Sequence, residues 1–201
     1  MRNRHLCHRN FGPIALNVLA LSGSLRQASI NTAFCLAAAR LAPAPMQITL
    51  FAGLGALPLF NPDLETDPPW SVQDLRQAVA RADALLIASP EYAHGISGVM
   101  KNALDWLVSD EGVVHKPVAL VNTSPRAHHA CDALREILKT MSTTLVTDAS
   151  TALALPRGCV TQEAMLSAPE VRGAIADLLT ALATHLTGGG GHEGVAQFSL
   201  A

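Results

Sequence analysis

Apolar runs and amphipathic stretches alternate along this chain. Ile14–Leu21 is a nearly continuous apolar run broken only by Asn17, and reads as a buried strand. From Ser29 to Leu41 the apolar positions recur at helical spacing. Met46–Phe51 is a second strand. Ala52–Trp70 carries Gly53, Gly55, Pro58, Pro62, Pro68 and Pro69 and reads as a long loop, of the kind that is functional or mobile in compact domains. A helix is predicted over Ser71–Arg81, with Ser71 as N-cap and Asp74 three residues on in the manner of a weak capping box. Strand Ala84–Ala88, helix Gly98–Val108, strand Val118–Asn122, helix Ala127–Met141 and strand Thr144–Thr147 follow. A last helix, Pro169–Leu186, opens on a proline that its first turn tolerates and on Glu170, which suits the helix dipole there. Such alternation predicts a parallel sheet with right-handed crossovers and helices on both faces.

Two loops between strand and helix carry the candidate chemistry. The first, Ser22-Gly23-Ser24-Leu25-Arg26-Gln27-Ala28-Ser29-Ile30-Asn31, leads from the first strand into the first helix. Amides at a helix start lack partners and, with the helix dipole, favour an anion. Ser24, Ser29 and Asn31 add hydrogen-bonding side chains, and Arg26 adds a planar fork suited to phosphate. The same residues also fit a plain capped turn, with Ser29 as N-cap and Arg26 in solvent. The second segment, Ser89-Pro90-Glu91-Tyr92-Ala93-His94-Gly95-Ile96-Ser97, follows the third strand and runs into Gly98-Val99-Met100-Lys101-Asn102-Ala103-Leu104-Asp105-Trp106. There Val99, Ala103, Trp106 and Leu107 form an apolar helix face, and Lys101 and Asp105 an i,i+4 pair.

Together these segments resemble the NAD(P)H-dependent FMN reductase family, which includes quinone, chromate and azo reductases. The family's G-S-x-R-x-x-S-x-N phosphate loop is matched at Gly23, Ser24, Arg26, Ser29 and Asn31. Its P-E-Y loop is matched at Pro90, Glu91 and Tyr92, and its K-N-A-x-D-W helix at Lys101–Trp106. Leu57-Pro58-Leu59-Phe60-Asn61, with Asp63 and Glu65, is a third and weaker likeness. The resemblance implies a flavodoxin-like fold: a doubly wound five-stranded parallel sheet in the order 2-1-3-4-5. In such sheets ligands sit beyond the carboxyl ends of the strands where strand order reverses, which places both loops against one ligand.

The resemblance further implies that FMN is the cofactor and that NADPH or NADH serves as co-substrate. Ser22, Ser24, Arg26, Ser29, Ile30 and Asn31 would lie at its phosphate, and Pro90, Glu91, Tyr92, Ala93, Gly95 and Ser124 at its ring. Glu91 is expected to be structural rather than an acid or base. No catalytic side chain is required, because the flavin carries the chemistry. No second dinucleotide loop of G-x-G-x-x-G type is present, so donor and acceptor are expected to use one site in turn. The implied partner is a small-molecule electron acceptor, and a cytoplasmic homodimer or homotetramer is expected, with Trp106 and its neighbours and the long Ala52–Trp70 loop offering surface. Two other readings stand beside this one: a flavodoxin-like electron carrier, and a flavin-free binding protein that keeps the fold. Ala93, Gly95 and Ser97 stand where relatives often have Asn, Ser and Pro, and the loop at 122–128 lacks their glycines.

Composition fits this frame. The 201 residues suit one domain, and 49% hydrophobic with 15% charged residues suits a sheet covered on both faces. A net charge of −2 argues against nucleic acid or an anionic membrane as partner. Cys7, Cys35, Cys131 and Cys159 lie too far apart for a metal knuckle or redox pair, and Cys35 and Cys131 read as core. His94, His128 and His129 offer no ligand spacing with acidic or Cys partners, and adjacent histidines on a helix diverge by about 100°; no metal is expected. Basic Met1–Asn10 and apolar Phe11–Leu21 outline a secretory signal. Cleavage near Ser22 would however remove the strand that carries the first loop, so residues 1–13 read as a loose extension. Residues 14–186 read as the domain, and 187–201, with four consecutive glycines, as a flexible tail.

Overall fold

A computed structural model describes residues 15–124 and 128–188. The extension at 1–13 and all of the tail beyond Gly188 lie outside these residues. A parallel sheet is built from β1 (Leu16–Ser22), β2 (Met46–Leu50), β3 (Ala84–Ala88), β6 (Pro117–Val121) and β7 (Thr144–Leu145), in spatial order β2-β1-β3-β6-β7. Counting these strands alone, the order is 2-1-3-4-5, the flavodoxin-like winding. The remaining pair, β4 (Glu91–Tyr92) and β5 (Gly95–Ile96), is a small antiparallel hairpin inside the second loop, which periodicity over so few residues does not reveal.

Helices cover both faces. On one side α1 (Ile30–Leu41), α5 (Gln162–Ser167) and α6 (Pro169–Thr187) bury Phe34, Cys35, Met165, Ile175 and Leu179 against Val18, Ala20, Leu86 and Val121. On the other, α2 (Trp70–Arg81), α3 (Gly98–Leu107) and α4 (His128–Thr140) bury Leu75, Met100, Trp106 and Leu134 against Leu19, Leu21, Leu85, Ile87 and Leu120. All five residues of β3 are buried, as a central parallel strand between two helical layers requires. With aromatics at 4%, Leu, Ala and Val supply most of this packing.

Two local expectations are corrected. Ser71 is not the cap of α2: the helix begins one residue earlier, Pro69 stands at the cap, and its carbonyl accepts from the amides of Val72 and Gln73. The last strand does not reach Thr147. After Leu145 the chain tightens into a single turn over Thr147–Ala149, and the Ser150 hydroxyl rather than a backbone carbonyl takes the Leu120 amide. Pairing resumes only where Asn122 meets Ala152. A further helix, α5, is capped by Thr161 on the Ala164 amide; its six residues are too few for a periodic signal in the sequence.

Trp106 is fully buried and so presents no surface to a partner. Its indole Nε1 donates to the Pro58 carbonyl at 2.8 Å, and its ring meets Phe60 edge to face at 5.0 Å. Asn102 completes the clasp: its Nδ2 donates to Pro58 O at 2.9 Å and its Oδ1 accepts from the Phe60 amide at 2.8 Å. The K-N-A-L-D-W helix thus anchors the Leu57–Asn61 stretch of the long loop. The two motifs are one structural device, a link that neither reveals alone.

Candidate functional site

The carboxyl ends of β1 and β3 lie side by side, with Ser22 opposite Ala88 in register. The loops that leave them are in direct contact. Gly23 donates its amide to Ala88 O at 2.9 Å. A Cβ on Gly23 would fall 2.3 Å from Ser89 Oγ, 2.9 Å from Ser89 Cβ and 2.9 Å from Ser97 Oγ. Glycine is therefore required here by close approach, and that approach holds the two candidate loops together. Ser89 and Ser97 are joined by their hydroxyls at 3.3 Å, and Ser97 also caps α3 on the Met100 amide.

In the first loop several hydroxyl and amide side chains face inward. Ser22 is buried and its hydroxyl pairs with that of Thr32 at 2.8 Å. Ser29 is the N-cap of α1, accepting from the Thr32 amide. Asn31 is buried, and its Oδ1 accepts from the Thr123 hydroxyl at 2.9 Å, tying the start of α1 to the loop after β6. Ile30 packs its side chain on the core. Two groups remain outward: Ser24, whose Oγ accepts a 3.3 Å bond from the Arg26 amide, and Arg26 itself, exposed and without an ion-pair partner among the described residues. The amides of Ile30 and Asn31 have no acceptor among the described residues. The residues thus fit a phosphate held by helix-start amides, Ser24 and Arg26, on a scaffold made by Ser22, Ser29 and Asn31.

The second loop projects. Pro90 leads into the hairpin, whose two-residue turn places Ala93 at φ 49° and His94 at φ 59°. Both central residues at positive φ define the turn that matches strand twist, a position that favours Asn or Gly. Tyr92 is 57% exposed and so is not ordinary core packing. Glu91 is half-buried and joins the hairpin to α4: its Oε2 accepts from the Ala130 amide at 2.9 Å, where a carboxylate also meets the helix dipole. Its contacts are those of a structural brace. Among the described residues a Cβ on Gly95 would meet nothing closer than Tyr92 O at 3.6 Å, so none of them demands glycine there. Ser124 is exposed beyond β6, with its amide on Asn122 Oδ1; residues 125–127 lie outside the described part of this loop.

His128 and His129 do not diverge as adjacent helical residues are expected to. At the first turn of α4 their ring centroids are 4.0 Å apart, and His94 meets His129 edge to face at 4.4 Å. Sequence spacing had no means to join His94 to the other two. Among the described residues no group of three or more His, Cys, Asp or Glu is arranged to hold a metal ion, and no helix is long and apolar enough to cross a membrane. Cys35, Cys131 and Cys159 are all buried free thiols. Burial pushes the Cys35 thiol up from an ordinary 9.0 to about 12, and that of Cys131, near Ser89, also upward.

Comparison with known proteins bears on the family and the fold. The sequence profile of NADPH-dependent FMN reductases matches residues 16–155. A 2-hydroxy-1,4-benzoquinone reductase of Burkholderia sp is 40% identical over 114 residues, which make up 55% of this chain and 62% of the relative. An NAD(P)H-dependent FMN reductase of Pseudomonas aeruginosa is 40% identical over 113 residues, 54% of this chain and 60% of the relative. The chain thus matches about three-fifths of the length of these relatives. Among solved structures, a flavoenzyme NAD(P)H:(acceptor) oxidoreductase from Paracoccus denitrificans superposes with a TM-score of 0.65 at 26% identity, covering 85% of this chain and 99% of its own. By the extent of the profile match, the chain belongs to the NADPH-dependent FMN reductase family.

Proposed function

We propose that this protein is an FMN-dependent NAD(P)H oxidoreductase that reduces quinones, and in the same way free flavin, azo compounds or metal oxyanions. The observation that carries the reading is the seating of Gly23 against Ser89 and Ser97, which brings the phosphate-type loop and the P-E-Y hairpin together at the point where strand order reverses. Ser24, Arg26 and the amides at the start of α1 would hold the phosphate of FMN; Pro90, Glu91, Tyr92, Ala93, Gly95 and Ser124 would line its ring. Bound there, FMN supplies a centre that accepts hydride from a nicotinamide and passes electrons on. The chain's own part is to bind and to orient. Gly95 leaves the hairpin backbone bare for a close ligand, and Glu91 keeps the hairpin fixed on α4. The names of the relatives, a hydroxybenzoquinone reductase among them, support a quinone as acceptor.

One site used in turn predicts ping-pong kinetics, with parallel double-reciprocal lines as acceptor is varied. Intersecting lines, with both substrates bound together, reject the shared site alone. The reading itself is tested by adding NADPH or NADH to the FMN-loaded protein without oxygen. Bleaching of the flavin absorbance is expected. Failure of both donors to bleach it leaves an electron carrier, and failure to take up FMN leaves a flavin-free protein of the same fold. A homodimer is part of the proposal, resting on exposed Leu25, Leu59, Trp70 and Tyr92 rather than on Trp106. A monomeric mass at micromolar concentration in fully active protein would remove it.

A further inference from the structure

The function above leaves one cluster of side chains unused. His94 stands on the turn of the hairpin, and His128 and His129 on the first turn of α4, beyond the carboxyl ends of β3 and β6. Their rings touch in sequence, His94 to His129 at 4.4 Å and His129 to His128 at 4.0 Å. All three are exposed, His94 at 76% of its side chain. Each imidazole, neutral or charged, carries at least one N–H donor, and none of the three rings has a hydrogen-bond acceptor among the described residues. The one carboxylate beside them, Glu91, has an oxygen 3.9 Å from His94 Nδ1, too far for a hydrogen bond, while its other oxygen is taken by the Ala130 amide. One turn along α4, Asp132 is paired with Arg135 and adds no net charge. A metal is a poor occupant, since the residues are not arranged as ligands. An anion with several oxygens could accept from these exposed N–H groups together.

We propose that His94, His128 and His129 form an anion-recognition edge of the substrate site, selecting substrates that carry a fixed, oxygen-rich negative group. The proposal rests on the oxidoreductase reading, because the hairpin that carries His94 is the one placed at the flavin ring. Two sources offer that chemistry: the 2′-phosphate of NADPH, and an acidic substituent on the quinone acceptor. Charge-assisted hydrogen bonds of this kind correspond to a preference of about tenfold or more over an uncharged analogue.

The test uses FMN-loaded protein and two arms. In the first, calorimetry compares binding of 2′,5′-ADP with that of 5′-AMP. In the second, kcat/KM is compared for a naphthoquinone sulfonate and the neutral naphthoquinone, with NADH as donor. Wild type should favour the anionic member in at least one arm by about tenfold. The double variant His94→Asn/His129→Gln should lose that preference to within about twofold. Asn tolerates the positive φ at position 94. Should that variant fail to fold, His128→Gln/His129→Gln on the exposed helix surface replaces it. A preference in the first arm assigns the edge to the donor, and in the second to the acceptor. No preference in either arm, or a preference that survives the substitutions, overturns the proposal. The calorimetric arm needs no turnover, and NADH oxidation with neutral quinone reports on the reductase reading separately.

Discussion

The two loops at the mouth of the sheet solve opposite problems. The loop after β1 turns its side chains in: Ser22 pairs with Thr32, Ser29 caps α1 and Asn31 bonds Thr123. What it leaves outward is backbone, with Ser24 and Arg26 at its edge. The loop after β3 keeps Glu91, Ile96 and Ser97 turned in but carries its tip outward. It is raised on a two-residue hairpin with both central residues at positive φ, and exposes Tyr92 and His94. A phosphate has one fixed geometry, so a site of the kind proposed for it can be built from amides that a rigid scaffold fixes in place. A substrate varies, and a projecting hairpin offers positions that change without disturbing the core. The motif residues Ser29 and Asn31 thus serve as scaffold, while Tyr92 and His94 stand exposed on the hairpin.

Four experiments break or sharpen that contrast. The largest effect is expected from Arg26→Ala, which removes the one charged side chain the first loop leaves outward. FMN affinity should fall about ten- to a hundredfold, roughly 1.5–3 kcal/mol, with melting of the FMN-free protein unchanged because Arg26 is exposed. A titration showing unaltered affinity would take Arg26 out of the site. Gly23→Ala attacks the junction instead. Its Cβ would crowd Ser89 Cβ, which cannot rotate away, so a loss of about 1–3 kcal/mol in denaturant unfolding is expected even without FMN. Wild-type stability in that variant would mean that the loops separate freely.

Ala93→Gly acts on the hairpin alone. Relief of the left-handed strain should raise stability by up to about 1 kcal/mol. A lower melting temperature would show that the turn is held by its contacts rather than strained by its backbone. The last experiment concerns Cys35, buried on α1, whose effect is confined to alkaline pH. Its folded-state pKa is raised, so its contribution to stability is complete below pH 9 and is lost as pH rises toward 12, where the unfolded thiol ionises and the buried one does not. Cys35→Ala should remove part of the alkaline decline in melting temperature. An identical decline in the two proteins would argue against the raised value.

Much of the architecture was legible along the chain because long periodic segments state their own type. Continuous apolar β3, helical spacing in α1, α3 and α4, and Pro169 at the head of α6 each follow from local pattern and capping chemistry. Alternation of strand and helix then leaves few ways to wind a parallel sheet, and the position of the first loop selects among them. The cap of α2 and the end of the last strand are not legible in the sequence, because a one-residue shift or a serine hydroxyl replacing a carbonyl costs too little to mark it. Tertiary structure alone decided which side of a motif each residue faces. That Asn102 and Trp106 hold Pro58, that Gly23 is pressed on Ser89, and that His94 meets His129 are contacts between segments remote in sequence. They arise when packing of the helices on the sheet brings loop ends together, and nothing in the local pattern of either partner encodes the other.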